Sequence, residues 1–397
     1  MITSRRYDLD WVRAIAFLIL IYFHTAIIFI PGGIPMIQNA ETSQFLLTFV
    51  TISTQFRLAL LFFVSGVGVA FARRRRTSAG FIQERSKRLL IPLIIGILLV
   101  VPPMVYTEKV FLGDFTGSLL EFYPHFFTDG VYPRGNLSWH HFWFIAYLYL
   151  FCLLGTGVFN WIETRGKPHI EYWISRMQGM GIYRFVIPLF LVEVLLRAVF
   201  PGFRDLIHDW ASFFHWFLIF TAGFVIANNE SLLNTAAKMR HYSLLGATVS
   251  TGLLYLFLGG PDFQVDRSAE LYYLIPAYIT WCAVHMIMVW CAILACVGYA
   301  AEHLRFSNRY LRYINEAVYP LFILHLTTIT ILGYWVVPLE WNLWLKFFFI
   351  TTMTILCILV VYHFIIRPFD TMRLLFGVKK RQLPEPGCLD SPVRIQC

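Results

Sequence analysis

Ten stretches of this chain are apolar enough, and long enough, to cross a lipid bilayer. They lie at about 11–30, 45–72, 88–106, 139–160, 184–200, 209–227, 242–259, 270–298, 314–337 and 341–366. A span takes roughly 20 such residues, because a helix rises about 1.5 Å per residue and must satisfy its own backbone in hydrocarbon. Pro and Gly punctuate several ends, as in PGG at 31–33, VPP at 101–103 and GGPD at 259–262. Composition agrees with this reading. Of 397 residues, 58% are hydrophobic and only 14% charged, too few to solvate a water-soluble domain of that length. The sequence therefore predicts an all-α polytopic membrane protein with about ten transmembrane helices, residues 1–377 forming one domain. Residues 378–397 read as a disordered cytoplasmic tail, with Pro and charge in place of apolar residues.

The net charge is +9. In a soluble chain that would raise the question of nucleic acid. Here the cations follow the spans instead, so no nucleic-acid partner is expected. With the N-terminus inside, 24 Lys and Arg fall in inner segments and four (Lys109, Arg134, Arg204 and Arg267) in outer loops. That alternation is the positive-inside pattern, and it puts both termini in the cytoplasm. Arg5 and Arg6 ahead of an apolar run suggest a signal peptide, but no small-residue cleavage site follows. The run reads as a retained first helix. The seven cysteines make no CxxC and no metal-type spacing, so neither a disulfide framework nor a metal site is expected.

Charges inside the spans are the informative residues, since each costs several kcal/mol in hydrocarbon unless paired or hydrated. The first run, LDWVRAIAFLILIYFHTAIIF, holds three. Arg13 and His24 are eleven residues apart, about 20° from a whole number of helical turns, so they share a face; Asp10 shares it too. His24 lies roughly 16 Å deeper than Arg13. Arg57 in the second run sits about 22 Å from its inner end, at a similar depth and too far in to snorkel. His325, His285 and His215 also fall at mid-span. Glu193 and Arg197 are spaced to neutralise one another across one helical turn. Arg85 and Arg88, three apart at the inner end of the third run, present two guanidinium groups suited to phosphate oxygens. No Walker loop or GxGxxG accompanies them. Polar residues at one depth imply a cavity in the bundle, which suits a transport path or a reaction centre.

The pattern resembles the membrane acyltransferase 3 family. Arg13 and His24 match its Arg-x10-His signature. FRLALLFFVSG, with Arg57, resembles its second helix, and RSKRLLIP, with Arg85 and Arg88, its RxxR motif. HFWFIAYL, with His141 and Trp143, resembles its HLWFL motif, reading Phe for Leu. NEAVYPLFILHLT, with Tyr319, Pro320 and His325, resembles its late helix ending in His. The layout and the RPFDTMRLLFG exit look most like the glucan biosynthesis protein C branch. The resemblance covers about residues 5–377. It implies an O-acyltransferase of the bacterial inner membrane that uses cytoplasmic acyl-CoA as donor substrate, with no permanently bound cofactor. The acceptor would be a hydroxyl of a glycan or another molecule on the outer side, and the acyl group succinyl or acetyl.

On that reading His24 acts as general base or, alternatively, carries the acyl group transiently. Asp10 and Arg13 pair, or Arg13 meets a phosphate of the donor. Arg85 and Arg88 bind those phosphates. Arg57 stabilises an oxyanion or an acyl carboxylate, His325 orients His24, and His141 and Trp143 stand at the outer mouth near the acceptor. The alternatives are a secondary transporter, against which no inverted repeat or pair of broken helices is found, and a scaffold whose polar residues are structural.

Overall fold

The computed structural model describes residues 6–33, 37–74, 76–202, 204–257 and 276–380. The expected span ends at 258–259 and 270–275, and the tail beyond Lys380, lie outside the described residues. Thirteen helices follow one another: α1 (Tyr7–Ile27), α2 (Gln44–Arg73), α3 (Ser78–Leu112), α4 (Leu119–Thr128), α5 (His140–Glu163), α6 (Lys167–Arg176) and α7 (Gly179–Leu196). After these come α8 (Trp210–Asn228), α9 (Glu230–Phe257), α10 (Pro276–His303), α11 (Arg309–Val336), α12 (Leu343–Ile366) and α13 (Asp370–Leu375). Among the described residues the only β pairing is a single bridge between Val131 and Leu137.

Nine of these helices are long and apolar enough to cross a bilayer. The tenth expected span is α9, which is less apolar but 28 residues long. It runs antiparallel along α10: Arg240 pairs with Glu302 at 3.7 Å, and the Tyr299 hydroxyl lies 2.9 Å from His241 Nδ1. The bundle is thus an integral, multi-pass membrane protein. Its outer surface agrees, because Leu99, Leu191, Leu195 and Phe364 stand exposed where lipid rather than water solvates them. The Lys/Arg-rich end of the bundle is called the inner end below.

α1 is the central helix, in contact with α2, α10, α11 and α12. α2 in turn crosses α8 at a point where both helices carry glycine. A Cβ on Gly66 would lie 1.9 Å from the Phe220 carbonyl oxygen, and one on Gly223 would lie 2.0 Å from that of Phe63. Only glycine lets the backbones approach so closely. Side chains of the preceding loop cap several helices, with Ser43, Asn308 and Asn342 accepting from the third N–H beyond.

Two departures from the sequence reading shape the centre. α1 begins at Tyr7 and ends at Ile27 rather than at about residue 30, so His24 stands about one turn from its outer end. α3 starts ten residues before the expected span. It contains two π-helical turns, at Ser86–Leu90 and Gly96–Val100. Such turns leave carbonyls out of register. The Leu98 carbonyl accepts a hydrogen bond from the Tyr123 hydroxyl of α4. The Val100 carbonyl accepts one from Thr327 of α11 at 2.8 Å. α4 is therefore folded back against α3.

Candidate active site

Three histidines from α1, α5 and α11 meet where these helices converge. His325 is fully buried, its Nδ1 2.6 Å from the Phe322 carbonyl. A carbonyl can only accept, so Nδ1 carries the proton and Nε2 keeps a lone pair. That Nε2 lies 3.2 Å from His24 Nδ1, which is also 3.1 Å from the Leu20 carbonyl. His24 Nδ1 must then be the protonated nitrogen, shared between the two acceptors. The lone pair of His24 is left on Nε2, on a ring that remains partly accessible. His141 donates from Nε2 to the Ile323 carbonyl at 3.0 Å, and its ring centre lies 5.1 Å from that of His325.

Arg57 flanks the trio. It is 2% exposed, and its guanidinium carbon stands 3.3 Å from the centre of the Phe23 ring, beside His24 in the chain. Its Nε and Nη1 have no hydrogen-bond partner. No carboxylate among the described residues balances it; the one neighbouring charge is Arg204, which acts on His24 as well. Arg204 comes from the outer loop between α7 and α8 and turns inward to lay its guanidinium 4.8 Å over the Trp143 ring. Its backbone is left-handed, with φ +67°, and so is that of Leu206, with φ +64°. Asp209 holds the turn by accepting from the Arg204 N–H at 2.9 Å and from the Tyr147 hydroxyl. Burial pulls the Arg204 guanidinium down to about 10, still protonated at neutral pH.

Two positions differ from the sequence expectation. His141 and Trp143 do not form an outer mouth. They are 6% and 4% exposed, His141 beside His325 and Trp143 covered by Arg204 and by Trp216 at 5.1 Å. The start of α5 packs against α11 at the Ile323 carbonyl, one turn or less from His325. Arg13 and Asp10 do approach, at 3.5 Å, but the Arg13 guanidinium also donates to Asn315 Oδ1 at 2.6 and 3.2 Å. Arg13 thus ties α1 to α11, below the histidines.

At the inner end, Arg85 and Arg88 converge on one carboxylate. Glu84 lies 3.3 Å from Arg85 and 3.4 Å from Arg88, and Arg76 joins them at 3.5 Å. Arg85 Nε is buried without a hydrogen-bond partner. Tyr319 of α11 faces this group. Its hydroxyl is buried and has no hydrogen-bond partner, and Arg88 and Arg85 are the charges acting on it. α3 and α11 run side by side and in the same direction, from Arg88 and Tyr319 to Val100 and Thr327. Tyr319 and His325 are six residues apart, about 9 Å along the helix. The cation cluster thus lies about two turns inward of the histidines on α11, on a different side of that helix.

Sequence reasoning missed Arg204, Tyr319 and Glu84 as members of these groups. Tyr319 sits within a quoted motif and Glu84 immediately before one, whereas Arg204 is a loop cation with no pattern around it. Two further features lie apart. Glu193 and Arg197 make the expected pair, with two hydrogen bonds of 2.7 and 3.1 Å. Arg197 also donates to Ser212 at 2.8 Å, and His215 Nδ1 is 3.9 Å from Glu193. His215 and His285 belong with this pair rather than with His24. At the outer end, a cavity of about 670 Å³ is lined by Gln38, Glu41, Phe111, Trp341 and the buried Lys346. It lies beyond the outer end of α11, whose last residue is eleven past His325.

The fold defines a multi-pass membrane protein, and the comparison with known families gives its class. The chain matches the Acyl_transf_3 family, described as an acyltransferase domain, over residues 6–363. It belongs to that family and is a membrane acyltransferase. No curated protein and no solved structure matches it.

Proposed function

We propose that the enzyme moves an acyl group from cytoplasmic acyl-CoA to a hydroxyl of an acceptor on the outer side of a bacterial plasma membrane. The observation that carries this reading is the hydrogen-bond chain from the Phe322 carbonyl through His325 to His24, which leaves the lone pair on His24 Nε2, with Arg57 over the adjoining Phe23 ring. The donor's phosphates rest on Arg85 and Arg88. Its pantetheine arm follows the α3–α11 seam outward, bringing the thioester to His24. The acceptor enters from the outer end, where the cavity at Trp341 and Lys346 opens. A glycan fits such an aromatic and polar lining, and succinyl or acetyl is the group transferred.

The chemistry balances without an outside reagent. His24 Nε2 takes the proton of the acceptor hydroxyl as its oxygen attacks the thioester carbonyl. Negative charge gathers on the carbonyl oxygen, and the almost wholly buried Arg57 guanidinium stabilises it. The intermediate collapses, the C–S bond breaks, and the departing thiolate takes the proton back from His24. The products are an ester and CoA thiol. His325 receives the Nδ1–H of His24 throughout, so the ring is held in the tautomer whose Nε2 is basic.

Isothermal titration of the purified protein with CoA, acetyl-CoA and succinyl-CoA tests the donor assignment. Saturable binding that weakens about 100-fold in the Arg85→Ala/Arg88→Ala protein supports it. Folded protein that binds none of the three would refute it.

A further inference from the structure

The C-terminal segment folds back over the inner cation cluster. Arg373, 5% exposed, anchors it by donating to Glu316 Oε1 at 2.6 Å, to the Lys379 carbonyl at 2.7 Å and to the Arg367 carbonyl at 3.2 Å. The Val378 side chain is buried, 7% exposed, and its N–H returns to the Arg373 carbonyl at 2.7 Å. Between them, Gly377 presents its carbonyl to Arg88 Nε at 3.0 Å. Gly377 has φ +67°, and a Cβ there would stand 2.3 Å from the Tyr319 ring and 2.6 Å from the Arg88 carbonyl oxygen. The segment is thus fitted to the floor of the cluster at a position only glycine can occupy.

This fit brings one more cation near. Lys379 stays exposed, with its carbonyl held by Arg373 two residues beyond the Gly377–Arg88 contact, and its charge is felt by Arg88, Glu84, Arg76 and Arg85. Desolvation, then the repulsion of Arg88, holds it below the usual lysine range. Three arginines thus surround one carboxylate, with Lys379 within electrostatic reach of all four groups. Arg85 and Arg88 suffice for a diphosphate, which leaves the surplus positive charge of Arg76 and Lys379 available to a further anionic group. Holding like charges together in this way costs free energy that a polyanionic ligand returns.

We propose that Lys379, positioned by Gly377 and Arg373, forms the third-phosphate subsite of the donor site together with Arg76 and selects a donor bearing a terminal phosphomonoester. The proposal rests on the acyl-CoA reading above. The chemistry it requires is a nucleotide with a diphosphate and a separate 3′-phosphate, as distinct from the same nucleotide without it.

The test is titration of CoA and of 3′-dephospho-CoA into full-length protein in nanodiscs of neutral phosphatidylcholine, so that no anionic lipid competes. The wild type should bind CoA about tenfold more tightly than 3′-dephospho-CoA. Lys379→Ala should lose about that factor for CoA and change little for 3′-dephospho-CoA. Lys380→Ala, one residue along and outside the cluster, should behave as wild type. If the wild type binds CoA but Lys379→Ala binds it equally well, the subsite is wrong while the donor assignment stands. Equal losses in the Lys379 and Lys380 variants would also overturn it, reducing the effect to general charge. A wild type that binds neither compound removes the acyl-CoA reading itself, and this proposal with it. A Lys379 effect that appears only when anionic lipid is added would assign the residue to headgroups instead.

Discussion

His325 Nε2 stands 3.2 Å from His24 Nδ1, and the Phe322 carbonyl fixes which of the two rings donates. One imidazole thereby sets the protonation pattern of another across the interface of α1 and α11. Replacing His325 with Phe keeps the aromatic packing but removes the acceptor. The expected result is a fall in kcat of about 100-fold with the KM for donor little changed. Steady-state kinetics on the purified variant would show it, and a matched rise in KM with kcat intact would contradict a positioning role.

Arg57 makes the opposite trade between stability and activity. A buried guanidinium without a carboxylate burdens the fold, so Arg57→Met should leave the thermal midpoint unchanged or raise it. Transfer should nevertheless drop by about 100-fold or more, since the developing oxyanion loses its partner. Thermal unfolding and turnover measured on one preparation separate the two effects. A variant that unfolds early would mean that Arg57 holds the bundle together instead.

The α2–α8 crossing should be the part of the bundle least tolerant of added volume. Gly66→Ala and Gly223→Ala each drive a methyl group into a backbone carbonyl, which cannot move aside like a side chain. A loss of about 1–3 kcal/mol is expected for each. Gly68, on the same helix with nothing within 4 Å of its Cβ position, is the control and should change by less than about 0.5 kcal/mol on substitution by Ala. Thermal midpoints in one detergent would compare them.

Gly96 tests whether the position of His141 matters to the chemistry. A Cβ there would stand 1.9 Å from the Phe142 ring, the neighbour of His141. Gly96→Ala should push Phe142 aside and lower transfer by about tenfold or more, with donor affinity kept. Turnover alongside CoA titration measures both. Unchanged turnover would mean that this corner of the trio adapts freely.

How much of this was legible in the sequence depends on whether a residue lies on a regular helix. His24 and Arg57 were placed at one depth by counting rise per residue, and Arg57 does lie over the ring beside His24. The same arithmetic failed for His141, because it assumes that a helix starts at the membrane surface. The start of α5 instead meets α11 at the Ile323 carbonyl, a tertiary contact that no periodicity records. Arg204 was counted with the outer loops for the same reason. Its inward turn depends on left-handed backbone and on Asp209, neither of which has a spacing signature. The inner cluster was half legible. Arg85 and Arg88 share a helix face by spacing, whereas the approach of Gly377 and Lys379 is a tertiary contact nearly 300 residues away along the chain.

The central claim is that His24 moves the proton of the transfer reaction without contributing to the hold on the donor. The most direct measurement is acyl transfer by His24→Ala, read as CoA thiol released in the presence of acceptor, beside CoA titration of the same sample. Transfer reduced by at least about 100-fold, with CoA affinity at the wild-type value, is the predicted result. Transfer within a few-fold of wild type would contradict it and return His24 to a packing role.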